Sequence, residues 1–60
     1  MKMKNSIGER IAYHRKMNAM TQEELAAKCN VSRQSISKWE ADIALPETEK
    51  LLLLGEVFHV

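Results

Sequence analysis

Apolar positions along the chain recur at three- and four-residue intervals in four separate stretches. Nowhere do they alternate as a half-buried strand requires. No Asn-Gly or Asp-Gly pair marks a hairpin. The pattern predicts an all-α chain, a compact bundle of four helices over about 6–18, 21–29, 32–40 and 46–58. Ser6 and Glu9 have the S-x-x-E spacing of a capping box, as do Thr21 and Glu24. Ser32 is a good N-cap for the third helix. Asn30 tolerates the left-handed backbone that a sharp exit from the second helix needs. Pro46 suits the first turn of the fourth helix, because its missing N–H has no helical partner there anyway. Glu47 and Glu49 favour the positive end of that helix.

The same periodicity assigns faces. On the first helix Ile7, Ile11 and His14 share a side, closed by Met17 or Asn18. On the second, Leu25, Ala26 and Cys29 line up. The third has only Ile36 and Trp39 as apolar contacts, with Val31 packing inward just before it. The rest of that helix is polar, so it presents a broad hydrogen-bonding face outward. On the fourth, Leu51, Leu52, Leu54, Val57 and Phe58 are expected to be buried, and Leu53 exposed.

Within 22–41 the spacing makes a more specific demand. Two short helices meeting at a tight turn need a small residue at the crossing, a residue accepting positive φ in the turn, and a buried anchor on the second helix. Ala26, Asn30 and Ile36 supply these at positions five, nine and fifteen of the unit counted from Gln22. Bracketed by two N-caps and closed by Trp39, they describe a helix-turn-helix. That device lays its second helix in the major groove of DNA.

Composition narrows the classes. With 60 residues the chain is one small domain of marginal stability. Apolar residues at 45% and charged residues at 28% suit a folded globule rather than a disordered tail. One cysteine, Cys29, allows no internal disulfide. With only His14 and His59 beside it, no structural metal site is expected. The leucine run 51–54 is far below the ~20 residues that span a bilayer, and no signal peptide is evident. A cytoplasmic location is the expectation. An enzyme is not expected: there is no nucleophile–base set, no glycine-rich phosphate loop and no metal cluster, and no cofactor is implied. The net charge of +1 is weak for a nucleic-acid binder, but its distribution is uneven. Residues 1–38 carry eight bases and three acids, whereas 39–60 carry one base and five acids. Arg10, Lys16, Lys28 and a Lys2/Lys4 arm are expected to add salt-sensitive attraction to phosphates.

Residues 6–60 resemble the phage-repressor/Cro-like, or xenobiotic-response-element, helix-turn-helix family. The resemblance is carried by IGERIAYHRKMNAMTQEELAAKCNVSRQSISKWE and LPETEKLLLLGEVF, most specifically by TQEELA and VSRQSISKWE. It implies a lambda-repressor-like DNA-binding domain whose third helix is the recognition helix. It implies that Arg33, Gln34 and Lys38 reach base edges, with Ser32 and Ser37 flanking, and that Gln22 holds a phosphate. Ser35, Arg10 and Lys28 are grouped with Gln22 as phosphate contacts. The chemistry suits these types: an Arg fork matches guanine O6/N7 and a Gln amide matches adenine N6/N7. Arg15 and Glu40 stand at positions the family often pairs, and a structural salt bridge is expected of them. Trp39 is expected in the core rather than as a stacking platform, Cys29 as an inert buried thiol, and His14 as a half-buried core residue.

Two departures from the family pattern stand out. Asn30 replaces the usual turn glycine, and the family's usual fifth helix is missing. The latter suggests the N-terminal part of a longer regulator, or cover from another subunit. The expected function is sequence-specific double-stranded DNA binding as a transcriptional regulator, a repressor acting as a homodimer on a roughly palindromic operator. The alternatives are an antitoxin or DNA-targeting module of a larger protein, and a protein-interaction module that has lost DNA binding.

Overall fold

A computed structural model describes residues 6–60 of the chain. The Lys2/Lys4 arm lies outside the described residues. Four helices follow in order: α1 (Ile7–Met17), α2 (Gln22–Cys29), α3 (Arg33–Glu40) and α4 (Thr48–Phe58). No strand occurs among the described residues.

The expected caps form. Ser6 Oγ accepts the Glu9 N–H at 3.0 Å. At α2 the box is reciprocal: Thr21 Oγ accepts the Glu24 N–H at 3.0 Å, and the Glu24 carboxylate accepts the Thr21 N–H at 2.8 Å. Asn30 takes φ 59°, ψ 45°, the left-handed exit expected of it. Helix α4 departs from expectation. Its N-cap is Glu47 and it begins at Thr48, so the buried Pro46 lies just ahead of the helix rather than in its first turn.

The core consists of Ile11, Leu25, Ala26, Cys29, Ile36, Trp39, Leu54 and Phe58, with Met20, Val31, Leu53 and Val57 packed against it. Helix α3 packs on α1 and α2, and α4 packs on α2 and α1. Four apolar assignments are corrected. Leu51, expected to be buried, is 39% exposed. Leu52 is 67% exposed, whereas Leu53 is partly buried against the core. Met17 is 67% exposed, and Met20 takes its place inside. Ala19, at φ 55°, turns the chain so that Met20 rather than Met17 faces inward. His14 is half-buried and stacks on Phe58 with ring centroids 5.4 Å apart, which ties α1 to α4. Lys50 on α4 donates to the Cys29 carbonyl at 3.0 Å, satisfying an orphan acceptor at the end of α2.

The start of α1 closely approaches the end of α3 at Gly8. A Cβ on Gly8 would lie 2.7 Å from the Glu40 carbonyl and 2.7 Å from Asp42 Oδ1, and would also press on the Trp39 carbonyl. Only glycine fits. The approach lets the Gly8 N–H donate to Asp42 Oδ1 at 3.0 Å, so a carboxylate 34 residues away caps α1.

Candidate functional site

Ser32 starts α3 with its Oγ accepting the Ser35 N–H at 3.2 Å. Ile36 is fully buried and Trp39 is 7% exposed, so the two hold the inner side of α3 against the core. This fixes the opposite side outward. Arg33, Gln34, Ser37 and Lys38 are all exposed along it, with Ser32 exposed at its leading end. Ser35 is half-buried, and its hydroxyl lies 3.2 Å from that of Ser32.

Behind this face lies a polar network through three helices. Arg15 on α1 grips Glu40 at the end of α3, Nε to Oε2 at 2.7 Å and Nη2 to Oε1 at 3.2 Å. Arg15 Nη1 also donates to the Met20 carbonyl at 2.9 Å, fixing the α1–α2 turn. The Arg15 and Glu40 side chains are 14% and 10% exposed. That is more enclosed than an ordinary surface pair, which contributes about 0–1 kcal/mol. Gln22 opens α2, half-buried, and completes the network. Its Nε2 donates to Glu40 Oε1 at 3.0 Å, and its Oε1 accepts from Arg33 Nη1 at a long 3.4 Å.

The first backbone N–H groups of α2 point out of the helix end, where they can meet an anion. Lys28 is exposed in the last turn of α2. Arg10 stands apart from the other residues of the set. It is exposed on α1 and borders a groove of about 270 Å³ between α1 and α4, together with Ile7, Leu51, Gly55 and Val60.

Cys29 is fully buried, and burial pushes its thiol up from the ordinary value; the Lys50 ammonium partly opposes the shift. Among the described residues no group of three or more His, Cys, Asp or Glu side chains could hold a metal ion.

Several contacts escaped sequence reasoning. Gly8, Asp42 and Lys50 matter through partners 34, 34 and 21 residues away, and no local pattern signals them. The link from Gln22 to Glu40 had a partial signal, since both residues were singled out, each for a separate reason.

Comparison with known proteins agrees with this geometry. A family model described as helix-turn-helix matches residues 11–60. The chain is 34% identical over 55 residues to the HTH-type transcriptional regulator ImmR of Bacillus subtilis, covering 92% of this chain and 43% of that protein. It is 41% identical over 60 residues to the HTH-type transcriptional regulator DicA of Escherichia coli, covering 98% of this chain and 44% of that protein. The chain thus spans less than half the length of these relatives. No solved structure gives a significant match.

Proposed function

The chain belongs to the helix-turn-helix family, and on that premise we propose that it binds double-stranded DNA sequence-specifically through α3, as the DNA-binding part of a transcriptional regulator. One observation carries this reading most directly. Arg33, Gln34, Ser37 and Lys38 are exposed together on a helix whose other side is locked in the core, so hydrogen-bonding groups are presented on a rigid rod. In this reading Arg33 and Gln34 read base edges, Lys38 and Ser37 extend the contact, and Ser32 flanks it. Gln22, through its backbone N–H at the start of α2 and its free amide hydrogen, meets a phosphate. Lys28, exposed in the last turn of α2, and Ser35 on α3 are the further phosphate contacts of this reading. Binding, not catalysis, is the activity proposed.

A repressor acting as a homodimer in the cytoplasm is the fuller form of the proposal. A two-fold pair would set two α3 helices about 34 Å apart in successive major grooves, matching a roughly palindromic operator. The names of the relatives support regulation. No helix among the described residues is long and apolar enough to cross a membrane.

Selection of bound sites from random duplex DNA tests the proposal. A defined, roughly two-fold site is expected. Arg33→Ala should relax preference at one base pair by about 1–3 kcal/mol, while other positions keep theirs. Selection that yields no enriched sequence, at low and at moderate salt, would sink the reading.

A further inference from the structure

The network behind α3 has a consequence for recognition itself. The Glu40 carboxylate can only accept hydrogen bonds, and the Arg33 guanidinium can only donate them. Gln22 lies between the two, with Nε2 3.0 Å from Glu40 Oε1 and Oε1 3.4 Å from Arg33 Nη1. An amide satisfies both neighbours in one orientation only. Flipping it would turn its oxygen to a carboxylate and its NH₂ to a guanidinium, two repulsive contacts in place of two attractive ones. Glu40 cannot swing away, because Arg15 holds both of its oxygens and is itself tied to the Met20 carbonyl.

We infer that Glu40, held by Arg15, is a positioning residue for DNA specificity: it fixes the Gln22 amide so that the amide oxygen aims Arg33 at its base. Glu40 itself touches no DNA in this arrangement. The inference rests on the proposed role of α3 as the reading helix. It adds that the choice of base at one position is set partly by a residue seven positions further along the helix.

Hydrogen-bond inventory supports the arrangement. Arg33 has five N–H donors, of which the contact with Gln22 occupies one, leaving a bidentate pair for a guanine edge. Gln22 keeps one amide hydrogen for a phosphate. The long 3.4 Å distance fits a contact that orients the guanidinium without holding it back from a better acceptor.

The test is Glu40→Gln, a near-isosteric change that keeps an oxygen for Arg15. It also offers Gln22 either a donor or an acceptor, so the amide is free to flip. First, the base pair read by Arg33 is located as the position where Arg33→Ala loses discrimination. Glu40→Gln should lower discrimination at that position by roughly three- to tenfold relative to the parent. Gln22→Leu should lower it by a similar factor, and the double variant by no more than either alone. The ratio of matched to mismatched binding is the readout, so any lost phosphate contact or lowered stability cancels.

Nuclear magnetic resonance of the DNA-free protein gives a separate arm. The Gln22 side-chain amide signals should shift on Glu40→Gln, and the Arg33 Nε signal should shift with them. Unchanged discrimination in Glu40→Gln, on a parent that does discriminate, overturns the assignment alone. So does an Arg33 signal indifferent to Glu40. A parent without sequence preference overturns the DNA reading and this assignment together.

Discussion

Gly8→Ala is expected to destabilise the protein, although the same change in an exposed helix position stabilises one. Helix propensity favours alanine over glycine by about 0.8–1 kcal/mol. Against that stands the space at Gly8. The new methyl would press on the Trp39 carbonyl and lie 2.7 Å from both the Glu40 carbonyl and Asp42 Oδ1, and two of those three atoms are backbone. Overpacking of this kind costs about 1–3 kcal/mol. Moving α1 away to relieve it breaks the 3.0 Å hydrogen bond from Gly8 to Asp42, a further ~1 kcal/mol. The net is a loss of about 1–3 kcal/mol, a large share of the stability of a domain this small. Gly55→Ala is the internal control. It sits mid-helix in α4, and its added methyl meets nothing nearer than the Val60 carbonyl at 3.5 Å, an ordinary contact. It should gain about 0.5–1 kcal/mol. Urea unfolding followed by the fluorescence of Trp39, the single tryptophan and a core residue, measures both variants. Opposite signs are the expected result. A Gly8→Ala protein as stable as its parent, or two variants shifted alike, would refute the claim that α1 seats on α3 through a bare Cα.

Three other outcomes are expected. A double-mutant cycle on Arg15→Ala and Glu40→Ala, read by urea unfolding, should give a coupling energy of about 1–3 kcal/mol; below ~0.5, the pair behaves as an ordinary surface bridge. Asn30→Gly should leave stability unchanged or raise it by a few tenths of a kcal/mol, whereas Asn30→Val should cost about 1–2, because φ 59° is tolerable for Asn and strained for a β-branched residue. Cys29, whose thiol is raised by burial, should make stability fall with rising pH. Below the ordinary thiol value of 9.0 it is protonated folded and unfolded alike; above it the unfolded chain loses the proton first, which favours unfolding. Cys29→Ala should remove that part of the alkaline decline, and a decline identical in both proteins would sink the explanation.

Much of the candidate site was legible in the sequence because the exposed polar face of α3 is locally determined. Capping hydroxyls, the left-handed Asn30 and the Ile36/Trp39 pair act over three to nine residues, and together they decide which side of α3 faces out. The pairing of Arg15 with Glu40 was accessible only through family resemblance, since 25 residues separate them and nothing local links them. How enclosed the pair is, and that Gln22 joins it to Arg33, came from the way three helices converge. That Arg10 borders a groove between α1 and α4 likewise came only from the way those two helices pack.

Sequence alone was enough for the number of helices, the starts of the first three, the turn and the polar character of α3, because caps, turn conformations and 3.6-residue periodicity are short-range. It could not choose among four consecutive leucines, since a run with no polar interruption carries no phase. The packing of α4 on α1 and α2 chose Leu53 and Leu54 and left Leu52 in water. Nor could it reveal that Gly8 must lack a side chain or that Asp42 caps α1. Those requirements arise only when segments more than thirty residues apart are brought within van der Waals contact.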